Sequence, residues 1–155
     1  MTIELKITLS QIQFLAEAKV FERGKNYFED GSIQHRVLRG QRIEAFCEGS
    51  QYAPYHVTAI LNGEGYVSST CTCPYDWGGI CKHVVALLLT YLLEAKSFTI
   101  RATISELLAQ KSHDELVNMI EAMLNHHPDL LNLVDPDNNA PSPFISGDHF
   151  DQDYY

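Results

Sequence analysis

The spacing of hydrophobic residues predicts a helix near the start of this chain. From Thr8 or Ser10 onward, apolar residues recur every three or four positions, which places them on one side of a helix. These apolar positions are Ile12, Leu15, Ala16 and Val20. We expect the helix to kink near Gly24 and to end at Gly31, because glycine is unfavourable inside helices and common at their ends.

After Ser32 the hydrophobic period shortens to two, which is typical of strands with one buried face. The predicted strands cover residues 33–37, 43–47, 55–61 and 66–73. Gly40 and the segment 62–65 mark tight turns between neighbouring strands. The prediction is therefore an α+β fold. Its small antiparallel meander of about four strands is covered by the N-terminal helix and by a second helix that begins near His83.

The C-terminal third has a different pattern. Thr103 and Ser112 are each followed three residues later by glutamate, which indicates capping boxes and short helices, and Pro128 can begin another. The predicted organisation is a module at 1–101 that contains all four cysteines, a helical appendage at 102–135 and a disordered acidic tail at 136–155.

The charge distribution separates the same regions. Residues 1–101 contain ten basic and ten acidic residues, whereas residues 102–155 contain Lys111 against ten acids, so the net charge of −9 arises there. An acidic protein is a poor non-specific DNA binder, because phosphate neutralisation supplies most of that affinity. No apolar segment is long enough to span a membrane, and the start lacks a signal-peptide pattern, so we expect a cytoplasmic protein.

The strongest chemical signal is the segment 71–83, which reads C-x-C-x7-C-x-H. Cys71 and Cys73 are two apart on a predicted strand, so both point to one side, while Cys81 and His83 lie where the next helix begins. Three thiolates and one imidazole form a structural zinc set that leaves no open coordination position. We therefore predict one structural Zn²⁺ and no catalytic role for it.

Other interpretations of these cysteines remain open. A disulfide would leave one of the three unpaired, and isolated core cysteines would not cluster beside a histidine. A nucleophilic pair of Cys81 and His83 lacks an obvious orienting carboxylate. Cys47, on an inward strand position, is expected to be a core residue. His126 and His127 are expected to be solvated helix-end residues rather than a second metal site.

The segment 71–83 resembles the SWIM-type zinc finger, in particular bacterial members of that family. The resemblance includes the Gly78–Gly79 pair, the aliphatic run after His83, and the upstream segments 24–33 and 43–57, so it covers about residues 8–95. It implies a zinc-dependent interaction module that binds protein or DNA. It also implies a helicase-type ATPase as one class of partner.

Two surfaces are candidates for partner binding. The first is the loop carrying Tyr75 and Trp77, with Lys82 beside it, although Trp77 could instead pack under the loop. The second is the hairpin carrying Arg36, Arg39 and Arg42, which suits DNA if these arginines are not simply a solvated face. The first hypothesis is a non-catalytic protein-binding module, and the alternative is a DNA-binding module that uses the hairpin. No motif of a nucleotide-binding or hydrolytic enzyme occurs, so we expect neither catalysis nor a small-molecule substrate.

Overall fold

The computed structural model describes residues 5–137, in which helices flank a sheet. The N-terminal helices are α1 (Leu9–Leu15) and α2 (Ala18–Glu29). The strands are β1 (Ile33–Arg39), β2 (Arg42–Cys47), β3 (Tyr55–Leu61), β4 (Tyr66–Cys71) and β5 (Thr99–Ile100). The later helices are α3 (Lys82–Glu94), α4 (Ile104–Ala109) and α5 (His113–His126), with 3-10 helices at Ala95–Ser97 and Pro128–Leu133. The predicted α+β class is confirmed.

The sheet has the strand order β4-β3-β2-β1-β5. The first four strands form the predicted antiparallel meander, whereas β5 pairs in parallel with β1 through Val37 and Leu38. The prediction of about four strands missed β5. Two residues cannot show an alternating pattern, and a long crossover, rather than a hairpin turn, brings this strand back to the sheet.

The core lies between the sheet and α3, with α2 packed against α3. Ile43, Ala45 and Cys47 of β2 are all buried, as their alternation predicted. In α3 the eight consecutive residues from His83 to Thr90 are buried, so this helix has almost no solvated side over that stretch. A helix that is apolar all round belongs in the interior. Burial also raises the pKa of the Cys47 thiol to about 12, which keeps it protonated as expected of a core residue.

The N-terminal helix departs from the prediction, because it is two helices and has no break at Gly24. The break falls at Ala16 and Glu17, whereas Gly24 lies inside α2 and is buried. A Cβ at this glycine would lie 2.5 Å from Val85 Cβ and 2.7 Å from the Lys82 carbonyl oxygen. The glycine therefore permits close packing of α2 on α3. The expected stop is confirmed, since Gly31 has a φ of +69° just after α2.

The fold divides into two compact units, one ending at Ile104 and one beginning at Ser105. In the second unit, the predicted capping box is present, with Ser112 and Glu115 bonding each other's backbone N–H groups at the start of α5. The helix expected at Pro128 is a 3-10 helix. The predicted tail, 136–155, lies outside the described residues except for its first two. None of the helices within residues 5–137 has the length and hydropathy needed to cross a membrane.

Candidate metal centre

The predicted ligands come from the end of one strand and the start of one helix. Cys71 is the last residue of β4, where it pairs with Val57 of β3. Cys73 follows in the turn, Cys81 is the N-cap of α3, and His83 is the second residue of that helix. A hydrogen-bonded strand and a buried helix therefore hold the two ends of this segment.

The four side chains converge on one point. Their ligand atoms all lie within 4.8 Å of one another, and among the described residues no other group of at least three His, Cys, Asp or Glu side chains does so. His83 Nδ1 lies 3.7 Å from Cys71 Sγ and 4.0 Å from Cys81 Sγ. A zinc tetrahedron with bonds of about 2.3 Å to sulfur and 2.0 Å to nitrogen has edges of roughly 3.5–3.8 Å. A contraction of less than about 1 Å would thus bring the set to the dimensions of a zinc site.

Two aromatic rings fix the orientation of His83. Tyr55 lies against the imidazole with ring centroids 4.6 Å apart, and Tyr27 meets it edge-on at 5.2 Å. The imidazole is buried, with Nδ1 toward the cysteines and Nε2 without a hydrogen-bond partner. Metal ligation through Nδ1 would satisfy the nitrogen that faces the cysteines, whereas Nε2 would stay without a polar partner. Tyr27 lies in the segment 24–33 that carries the family resemblance, but its contact with His83 was not predicted.

The thiols influence one another strongly. A hydrogen bond from Cys71 lowers the pKa of Cys81 to about 4, against the effect of burial, and His83 adds to the lowering. The same hydrogen bond and burial raise the pKa of Cys71 above its ordinary range, and burial raises that of Cys73. The thiol of Cys81 is therefore deprotonated readily, whereas the raised pKa values of Cys71 and Cys73 oppose the formation of a second and a third thiolate. A divalent cation held by these residues would supply the charge that favours deprotonation of the other two thiols.

One internal hydrogen bond and two glycines determine the shape of the loop between Cys73 and Cys81. The Tyr75 hydroxyl donates to the Gly78 carbonyl over 3.0 Å, and Gly78 and Gly79 have φ values of +92° and +65°. At Gly79 a Cβ would lie 2.7 Å from the Leu15 carbonyl oxygen, so the loop passes close to the end of α1. Glycine suits both requirements, because it adopts positive φ without steric cost and permits close approach.

The predicted partner residues around this loop have different environments. Trp77 is 83% exposed, so it does not pack under the loop. Tyr75 is half-buried, and the ammonium group of Lys82 lies 4.8 Å from the centre of the Tyr27 ring. These three residues line one cleft of about 240 Å³, together with Arg23 of α2.

The predicted arginine surface is engaged in ion pairs within the fold. Arg36 contacts Glu94 and donates to Ser97 Oγ over 2.8 Å. Arg39 and Arg42 both bond the carboxylate of Glu44, at 2.8 and 3.1 Å. Burial opposes ionisation of this carboxyl, yet the two arginine hydrogen bonds outweigh it and lower the pKa of Glu44.

The arginine hairpin and the cysteine cluster lie at different ends of the sheet. Arg42 pairs with Ile60 on β3, whereas Cys71 pairs with Val57 near the opposite end of that strand. The structure thus does not bring the arginines together with Trp77.

The cluster around Cys71 is typical of one class of proteins, the zinc fingers in which Cys and His side chains join a sheet to a helix.

Comparison with known proteins relates part of the chain to a known family. Residues 55–92 match the model of the SWIM zinc finger, and the cluster of Cys71, Cys73, Cys81 and His83 fits one structural Zn²⁺. Zinc finger SWIM domain-containing protein 8 of Bos taurus is 27% identical over 117 residues, covering 72% of this chain and 8% of that protein. The proteins of the same name from Mus musculus and Homo sapiens show the same identity and are covered over 6% of their length. No solved structure is significantly similar to the chain.

The chain thus spans less than a tenth of the length of these relatives. Neither the family nor the names of the relatives indicates an enzymatic activity, and SWIM zinc fingers are in general modules that bind protein or DNA.

Proposed function

We propose that this chain is a non-catalytic, zinc-stabilised module that binds a protein partner through the loop between Cys73 and Cys81. In this proposal Cys71, Cys73, Cys81 and His83 ligate one Zn²⁺. Four protein ligands leave no position for water or substrate, so the metal has a structural role. Free thiolates and bound zinc suit a reducing compartment, which supports the expected cytoplasmic location.

The observation that carries the proposal is the exposure of Trp77. A tryptophan that is 83% exposed leaves a large apolar surface in water, and tryptophan is enriched among the residues that dominate binding energies. Its loop is held at both ends by proposed zinc ligands, so little conformational entropy would be lost when a partner binds. An ordered loop with an exposed aromatic tip is suited to protein recognition.

The charge around the cleft indicates the chemistry of the partner. Arg23 and Lys82 are the basic residues among those that line it, beside Trp77. An acidic side chain next to an apolar one on the partner would match this combination. A helicase-type ATPase remains one class of protein that could present such a segment.

The ion pairs of the arginine hairpin favour protein over DNA as the partner. Arg36, Arg39 and Arg42 would have to exchange their carboxylate contacts for phosphates, and the net charge of −9 opposes non-specific binding of a duplex. DNA binding through the hairpin therefore stays the alternative. It predicts an affinity that falls steeply with salt.

The test is affinity capture with Trp77→Ala, using Phe14→Ala as the matched control. Phe14 is 92% exposed but lies on α1, outside the loop. We expect Trp77→Ala to lose the captured partner while it keeps its zinc, and Phe14→Ala to retain both. If both variants capture the same proteins as the wild type, or if a labelled duplex binds with a steep salt dependence that Arg39→Ala removes, the proposal is wrong.

A further inference from the structure

Within residues 105–137, the described part of the second unit, one surface is left uncovered by the residues of that part. No side chain from Ser105 to Asp137 is fully buried. The 3-10 helix at Pro128–Leu133 contacts α5, yet Val117, Ile120 and Met123 of α5 remain 38%, 45% and 51% exposed. Leu131 and Leu133 of the 3-10 helix are exposed as well, and Val117, Ile120 and Met123 form the apolar stripe of α5.

The stripe lies on one face of a regular helix. Leu116, Ile120 and Met123 follow the spacing of three and four residues that places side chains above one another, and Val117 and Leu124 widen the same face. Such a face is stable in a globular protein when it is buried against another element. A single scattered apolar residue on the surface would need no explanation, but a continuous face does.

Acidic residues border the stripe on both sides. Asp114 lies three residues before Val117 and Glu121 four residues after it, so both carboxylates flank Val117 on the helix surface. Glu115 lies four residues before Met119, on the other border, where its carboxylate accepts from the Ser112 backbone N–H and pairs with Lys111. Over residues 105–137 there are seven acidic residues and one lysine. The apolar face is therefore framed by negative charge.

We propose that α5 docks a basic amphipathic helix of a protein partner on this stripe. The partner's apolar residues would cover Val117, Ile120 and Met123, while its Lys and Arg side chains would face the bordering carboxylates. A second copy of this chain is disfavoured, because two acid-bordered stripes would repel. Nucleic acid and anionic lipid surfaces are disfavoured for the same reason. This surface lies in the second unit, so the inference does not rest on the zinc-loop function.

The test uses the full zinc-loaded chain and a pair of synthetic helical peptides of about 20 residues, long enough to form helix. Both peptides carry leucines at positions one, four, five and eight of a repeating face; one has lysines on its remaining positions and the other has glutamates. We expect the lysine peptide to bind at least about tenfold more tightly at low salt, with the difference shrinking as salt rises. Amide chemical-shift changes should be confined to α5 and the following 3-10 helix.

Two substitutions at the stripe and one control on the polar side locate the site. Ile120→Asp should weaken binding of the lysine peptide at least about tenfold, and Ile120→Ala should weaken it too while preserving helix content, because alanine favours helices. Asn118→Asp adds the same charge as Ile120→Asp, but on the opposite side, and should not weaken binding. Equal binding of the two peptides, unchanged binding by both Ile120 variants, or a dimer of the free chain that Ile120→Asp dissociates would each overturn the proposal.

Discussion

The helices α3 and α5 have nearly the same length but opposite environments. α3 has 13 residues and buries eight of them in succession, whereas α5 has 14 and buries none. The two helices differ in composition, since α3 is apolar on nearly every side from Val84 to Leu89, and in what precedes each of them. α3 is attached through Cys81 and His83 to the end of β4, while α5 begins at a local capping box formed by Ser112 and Glu115. A local cap can start a helix, but α5 lacks the apolar surface on nearly every side with which α3 lies inside the core.

Losing the metal centre should have the largest effect. We expect His83→Ala to lose zinc, to lower the melting temperature strongly and to aggregate, because structural zinc contributes on the order of 10 kcal/mol in small domains. Removing the imidazole also leaves a gap between the rings of Tyr27 and Tyr55. Elemental analysis and a thermal melt measure both effects.

The control for the metal centre is Cys47→Ala, which changes a buried cysteine outside the cluster. It should keep one zinc per chain and cost about 1 kcal/mol, because it removes one small core side chain. A variant Cys47→Ala without zinc, together with a His83→Ala variant that retains it, would show that the proposed ligand set is wrong.

Disturbing the contact between α2 and α3 should have the next largest effect. At Gly24→Ala the new methyl group would overlap Val85 and the Lys82 carbonyl, so we expect a loss of about 1–3 kcal/mol despite the better helix propensity of alanine. Chemical denaturation of the zinc-loaded protein measures this loss. Asn26→Ala, at an exposed position of the same helix, should not destabilise it. Equal stability of both variants would contradict the close packing described.

A smaller effect is expected at Glu44, whose side chain is 16% exposed between two arginines. Its pKa is lowered in the folded state, so its contribution is present at neutral pH and is lost as the pH falls below the ordinary glutamate value of about 4.3. Glu44→Gln should therefore destabilise the protein by about 1–2 kcal/mol at pH 7, with a smaller difference from wild type in acid.

The matched control for Glu44 is Glu29→Gln, which removes an exposed pair with Lys25. Its effect should stay within about 0.5 kcal/mol at every pH. The melting temperatures of the wild type and of both variants, measured across a pH series, show how the effect of each substitution depends on pH. A Glu44→Gln effect that is constant with pH would mean that packing, and not charge, explains the cost.

The smallest effect is expected for Ile120→Asp on the first unit. Because Ile120 is 45% exposed on α5, its substitution should leave the zinc content unchanged. It should change the free energy of unfolding of the first unit by no more than about 0.5 kcal/mol. Limited proteolysis and zinc analysis of this variant report on the two units separately. Loss of zinc on this substitution would contradict the expectation that the surface of α5 and the metal centre at the start of α3 are independent of each other.

Local patterns predicted most of the first unit, and failures occurred where distant residues decide the structure. The alternation at Ile43, Ala45 and Cys47 and the short spacing of the cysteines depend on neighbours in sequence, so they could be interpreted directly. The function of Gly24 could not, because only the position of Val85 on another helix explains it. β5 was missed for the same reason: it exists through its pairing with Val37 and Leu38 of β1.

In the candidate site, too, local features were predicted and features that depend on distant residues were not. The proposed ligands were predicted from residue type and spacing alone, whereas the clamping of His83 by Tyr27 and Tyr55 depends on three separate elements. The pairing of Arg39 and Arg42 with one carboxylate was also not foreseen, although Glu44 lies two residues from Arg42 and on the same side of β2. Cross-strand neighbours therefore deserve inspection before an arginine-rich hairpin is interpreted as a nucleic-acid surface.

The closeness of the metal-binding residues in sequence has a consequence for how the chain folds. All four lie between residues 71 and 83, so closing their loop costs little chain entropy, and the site can form before distant contacts exist. The pairing of Val37 with Thr99, by contrast, joins residues about 60 apart and must wait for the intervening chain to collapse. We therefore expect zinc to be captured early in folding and the fifth strand to join last.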